Sequence, residues 1–208
     1  MIEIKREIIQ EEGVPVSIFD KDMGFVEDTI ALIGKATKQF ASEISLESHR
    51  QGQFLPEVGV RNGLIIRNKV TNEDYIVIAN YPEVIEQQVC TIITRMIVCN
   101  SKIRVGRLIE DADERGKITK GFKELYTNLS VYAEPLDSEV KQADPGKAPK
   151  SSYRIYAPDI TVDIEDQILV DIGGQMMPFK LVGYDYLSFK GLTILDVITE
   201  TRREKWLD

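Results

Sequence analysis

The chain is poor in the residues on which most catalytic chemistry depends. It holds one histidine (His49), two cysteines (Cys90 and Cys99) and one tryptophan (Trp206) in 208 residues. A Ser-His-Asp or Cys-His arrangement therefore has only His49 to use as its base. That residue sits in the polar run Glu47-Ser-His-Arg50, with no strand-to-helix nucleophile turn beside it, and reads as a surface histidine. Zinc coordination by histidine and cysteine needs more ligands than this inventory supplies. The two cysteines stand nine positions apart in one apolar run. In a strand an odd separation points them to opposite faces, so they are poor disulfide partners and read as buried, reduced thiols. No glycine-rich phosphate loop is present. Gly173-Gly174 falls between two strand-like runs, where a phosphate cradle needs a strand followed by a helix.

Positive charge and long apolar runs are also scarce. Lysine and arginine number 26 against 34 aspartates and glutamates, a net charge of −8. Binding through DNA phosphates calls for a basic face, and the cluster Arg202, Arg203, Lys205 is too small to make one. An acidic wall suits DNA only as passing cargo, since it repels the backbone and prevents sticking. No apolar run approaches the roughly 20 residues needed to cross a bilayer, so no membrane partner is expected. The charged start, Met1-Ile-Glu-Ile-Lys-Arg-Glu7, does not read as a signal peptide, and synthesis in the cytoplasm is expected.

What the chain does have is the material of a folded core: 43% hydrophobic and 29% charged residues. Carboxylates come in clusters, at Glu73-Asp74, Glu110-Asp-Ala-Asp-Glu114 and Asp163-Ile-Glu-Asp166. All three fall in predicted turns, where acidic residues face solvent and hydrogen-bond their own backbone. Read as a calcium loop from Asp111, the second cluster puts Gly116 at the sixth position. Arg115 then takes the fifth position and Phe122 the twelfth, where oxygen ligands belong. No metal, cofactor, small-molecule substrate or catalytic residue is expected.

The pattern along the chain is one of strands. Residues 2–12 are the exception: Ile2, Ile4, Ile8 and Ile9 share a helical face, and Gly13 and Pro15 stop the segment. This short N-terminal helix either lids the following domain or docks on a neighbouring subunit. Strand-like runs follow at Val14–Phe19, Gly63–Val70, Tyr75–Ala79 and Val89–Cys99. Residues 42–55 are polar and read as a loop, as do 82–88. Further runs come at Ile103–Ile109, 125–133, Tyr153–Tyr156, Gln167–Asp171, Phe179–Tyr184 and Leu192–Thr199, with a hairpin at Gly173-Gly174. The alternation over 125–133 argues for a strand, although Ile118, Phe122, Leu125, Leu129 and Tyr132 also fit a helix. The Pro-rich stretch 135–152 reads as a long loop.

The two halves repeat. Ile65, Tyr75, Val77 and Cys90 align with Leu169, Phe179, Leu181 and Ile194, each 104 positions later. The fold expected is therefore mainly β, with two tandem small barrel- or sandwich-like units, 13–100 and 101–202, after the N-terminal helix 1–12. A tail, 203–208, follows. Each unit has about six strands, enough to close a small barrel.

Residues 152–202 resemble the C-terminal half of the head-closure and neck proteins of tailed bacteriophages. The likeness is carried by Ala157-Pro158, Asp166, Phe179, Leu181-Val-Gly-Tyr-Asp185, Gly191 and Leu195. Residues 124–136 resemble the preceding strand pair, and Gly63-Leu-Ile-Ile with Tyr75-Ile-Val gives a fainter match in the first half. Such proteins are about half this length, so the duplication departs from the pattern. The resemblance implies a homo-oligomeric ring in the virion neck or collar, between portal or adaptor and tail proteins. A tail-terminator or baseplate component, or a cellular β-rich adaptor, is the alternative. The interaction residues expected are Pro145, Gly146 and Lys147 in the long loop, and Arg202, Arg203 and Trp206 near residue 208. Trp206 would either pack on its own domain or anchor a neighbour.

Overall fold

The structure is a computed structural model that describes residues 2–36, 45–112, 118–136 and 153–200. It opens with helix α1 (Ile2–Glu12) and continues with twelve strands. Strands β1 (Val14–Phe19), β2 (Phe25–Lys35), β3 (His49–Phe54), β4 (Ile65–Asn68), β5 (Asp74–Ile85) and β6 (Gln88–Val98) form a closed barrel in the order β1-β2-β3-β6-β5-β4. Closure comes from β1 pairing antiparallel with β4, Val16 through Phe19 against Asn68 through Ile65. Alternate residues point inward, so Val16, Ile18, Phe54, Ile66, Tyr75, Val77 and Met96 meet in one buried cluster.

Strands β7 (Ser101–Ala112), β8 (Ile118–Pro135), β9 (Tyr153–Pro158), β10 (Gln167–Ile172), β11 (Gln175–Asp185) and β12 (Leu192–Thr199) form a second closed barrel. Starting at β7, its order is β7-β8-β9-β12-β11-β10, the same circuit as the first. Ile103, Val105, Leu129, Val131, Ile155, Ile168, Phe179, Leu181 and Val197 are among its buried apolar side chains. One compact unit spans Met1–Cys99 with Tyr186–Leu192, and the other spans Asn100–Asp185 with Thr193–Asp208.

The repeat extends further in space than in sequence. Strand β9 begins and ends 104 positions after β3, and β12 begins 104 positions after β6. A β-bulge interrupts the β5–β6 register between Val77 and Ala79, and another interrupts β11–β12 between Leu181 and Gly183, again 104 positions on. A bulge bends its strand and sharpens the local twist, which a small barrel needs in order to close.

Several expectations are corrected. Composition suggests a loop over 42–55, yet 49–54 form β3, which is paired on both sides, to β2 and to β6. Its polar composition hides an inward face made of His49, Gly52 and Phe54, all buried. The stretch 82–88 is not a loop either. Strand β5 runs on to Ile85, and a two-residue turn at Glu86-Gln87, both at positive φ, returns the chain as β6. Strand β2 runs through Gly34 to Lys35. The helical alternative at 118–132 is excluded, since this segment pairs with β7 as β8. A bulge at Thr127-Asn128, with Asn128 at φ 51°, shifts its alternation. Pro135 belongs to β8 and Leu136 is buried, so neither is part of a loop, and the rest of the loop expected over 135–152 lies outside the described residues.

Gly52 is closely packed inside the first barrel. A methyl group there would lie 2.5 Å from Thr94 Oγ1 and 2.9 Å from the Met96 methyl carbon. Gly52→Ala is therefore expected to destabilise the chain by about 1–3 kcal/mol through overpacking, read as a lower urea midpoint at unchanged slope.

Candidate functional site

Helix α1 is fixed to its own barrel. Ile9 is buried, and the helix packs on β2 and β6. Lys5 Nζ donates to Glu83 Oε1 at 2.5 Å, and Arg6 Nη2 donates to Glu57 Oε1 at 2.5 Å. Glu83 also accepts from Thr91 Oγ1 at 2.8 Å. This carboxylate thus ties α1 to the far end of the β5–β6 hairpin. Its pKa is held below the ordinary glutamate value, first by the hydrogen bond from Lys5 and then by that from Thr91. The same stretch in the second barrel, Tyr186–Gly191, lies between β11 and β12 as a loop. Residues 82–87 belong to a hairpin where their repeat partners do not.

Turn-like composition places the acidic clusters in solvent, but two of their members are buried in ion pairs. Asp166, with its side chain fully buried, accepts from Arg107 Nε at 2.6 Å and Nη2 at 2.7 Å, and from the Asp163 amide at 2.7 Å. Asp74 accepts from Arg67 at 2.7 and 2.9 Å. A third pair, Arg154 with Asp196, joins β9 to β12 at 2.9 Å. The carboxylates raise the pKa values of Arg67 and Arg107, Asp74 acting on the first and Asp166 on the second. Bidentate guanidinium–carboxylate forks of this kind fix geometry and commit both carboxylate oxygens to it.

His49 is not at the surface. It is fully buried in β3, and its Nδ1 lies 2.9 Å from the Ser45 carbonyl, which makes Nδ1 the protonated nitrogen. Cys90 is buried and Cys99 half-buried, both as free thiols. Burial, with the Asp74 carboxylate adding to it, pushes the Cys99 thiol up and keeps it protonated. Among the described residues no group of three or more His, Cys, Asp or Glu side chains could hold a metal. Among them, too, no helix is long and apolar enough to cross a membrane.

A cleft of about 180 Å³ opens in the second unit beside Asn100, Ser101, Tyr153, Val170, Asp171 and Gly173. Its polar groups are already engaged. Asn100 exchanges two hydrogen bonds with the Ala133 backbone, Ser101 Oγ donates to the Asp171 carbonyl, and Asp171 accepts from the Gly174 amide. The larger unspent resource is exposed apolar surface. Val84 and Val89 face each other across the β5–β6 hairpin near its tip and are 57% and 43% exposed. Phe25 and Val26 on β2, Val70 after β4, and Ile4 and Ile8 on α1 are exposed as well. The β7–β8 ladder likewise continues to Ala112–Ile118, past the last β7–β10 pair at Gly106.

Of the interaction residues expected from sequence, Pro145, Gly146, Lys147, Arg202, Arg203 and Trp206 all lie outside the described residues, as do 113–117 of the calcium-like run. Nothing in the sequence singles out the exposed valine pair, because 82–88 is loop-like by composition.

No family model matches the chain, and no curated protein does. Among solved structures, protein SF1141 from Shigella flexneri is 13% identical, covers 51% of this chain and 96% of its own, and superposes with a TM-score of 0.42. MrkH of K. pneumonia, solved in complex with c-di-GMP, is 6% identical over 97% of this chain and 86% of its own, with a TM-score of 0.24. Likenesses at these scores assign no role to this chain.

Two outcomes follow from the ion pairs. Arg107→Ala leaves the Asp166 carboxylate buried without its cation and is expected to cost about 3 kcal/mol, measured by urea unfolding at pH 7. Glu83 has a folded pKa below its unfolded value, near 4.5. Its contribution is therefore fully present above that value and is lost as pH falls through the lower folded pKa. Acidification from pH 7 to below 4.5 is expected to loosen α1 progressively, seen as a shift of the Ile9 methyl resonance. Glu83→Gln should show the loosened signal already at neutral pH.

Proposed function

We propose that this chain is a structural protein of a tailed-bacteriophage virion, a subunit of the neck or head–tail connector ring. The observation that carries the reading is the β5–β6 hairpin. It is a rigid, two-residue-turn arm anchored by Glu83 and tipped with the exposed pair Val84 and Val89. An apolar pair held out on a fixed arm is costly for a solitary protein and useful to one that docks on a neighbour. Two closed barrels supply stiff bodies without free sheet edges to mispair. Arginine–aspartate forks spend the buried carboxylates on geometry. The net charge of −8 fits a body past which DNA moves as cargo. The resemblance of residues 152–202 to head-closure proteins points the same way. Partners on this reading are further copies of the chain in a ring, portal or adaptor proteins on one side and tail proteins on the other.

Labelled-antibody electron microscopy on particles from the source lysate tests it. Label at the head–tail junction is the expected result. Label at the tail tip moves the role to a baseplate component, and label on no particle overturns the virion reading in favour of a cellular adaptor.

A further inference from the structure

Helix α1 spends both of its cations on its own barrel, Lys5 on Glu83 and Arg6 on Glu57. What remains outward is a paired stripe. Glu3, Glu7 and Glu11 recur every four residues and are exposed. Beside them run Ile4 and Ile8, 59% and 45% exposed. Among the described residues no cation pairs with those three glutamates. Like charges four apart on a helix repel, and the last turn carries Glu11 and Glu12 with no basic residue to offset the helix dipole. The outer face is thus unfavourable by itself and complete only beside a basic, partly apolar partner.

Segment 201–208 of the chain fits that description. Residues 201–208 read Thr-Arg-Arg-Glu-Lys-Trp-Leu-Asp, placing three cations next to Trp206 and Leu207. Arginine and tryptophan are the residue types that dominate interface energies, and tryptophan needs an apolar seat. We propose that segment 201–208 of one copy docks on the outward face of α1 of a neighbouring copy, with Arg202, Arg203 and Lys205 on the glutamate stripe and Trp206 on Ile4 and Ile8. The two surfaces differ, so the contact is head-to-tail. Contacts of that kind build rings when the rotation closes. The proposal rests on the ring reading above and names the joint within the ring.

A fluorescent peptide of residues 200–208 is titrated onto the full chain carrying Trp206→Ala, and sedimentation velocity of the unmodified chain is run in parallel. Saturable peptide binding is expected. It should fall about tenfold or more with Glu7→Lys and Glu11→Lys, both exposed on α1, and weaken with added salt. Self-association of the unmodified chain should fall in step with Arg202→Glu and Arg203→Glu, and recover when both sets of reversals are combined. If the peptide does not bind while the chain still self-associates, the joint is overturned and the ring reading stands. If the peptide binds and the chain stays monomeric at every concentration, the segment docks on its own helix and the neighbour contact is overturned. If neither occurs, the joint and the ring fall together.

Discussion

A sheet of six strands becomes a barrel only when its first and last strands find each other. In this chain that contact is short. Four residue pairs join β1 to β4, and four join β7 to β10. Everything else in each unit presupposes them: the inward rows of Val16, Ile18 and Ile66, or of Ile103, Val105 and Ile168, face a common interior only once the circuit is shut. Closure also removes the free edges that a sheet would otherwise expose to other chains. The duplicated bulge, at Val77–Ala79 and again at Leu181–Gly183, is the local device that bends the strands far enough.

On that shared frame the two units differ where they meet solvent. The first has α1, and with it a carboxylate at residue 83 that binds helix, strand and hairpin together. The stretch 104 positions later lies between β11 and β12 and is not a hairpin. The second lengthens a different hairpin, β7–β8. Repetition supplied two stiff bodies, and each carries its own outward projection.

Much of this was legible in the sequence because burial leaves a period of two. The runs Tyr75–Ala79 and Leu192–Thr199, the Gly173-Gly174 turn and the 104-residue offset all come from apolar patterning. The misses share one cause. Strand β3 has Phe54 as its single hydrophobic residue and builds the rest of its inward face from a buried histidine and a glycine, neither of which registers as apolar. Residues 82–88 contain Pro82, Glu83 and two glutamines, turn-like by composition, and are held as a hairpin by a helix far away in the chain. Asp74 and Asp166 looked solvated because their arginine partners are 7 and 59 positions distant. Composition reports what a segment prefers alone, and each of these segments is decided by something remote.

The short turn at Glu86-Gln87 has a consequence for how the chain reaches this structure. A hairpin closed by two residues needs almost no loop entropy and forms on the microsecond scale. The contact that shuts the first barrel joins Val16 to Asn68, 52 positions apart, and such pairing comes late. The β5–β6 turn therefore has the lower closure cost and forms while the body is still open, to be fixed in place when α1 docks on Glu83. An unfinished chain then exposes the pair Val84 and Val89, as the finished one does. A net charge of −8 opposes association between half-folded copies through like-charge repulsion.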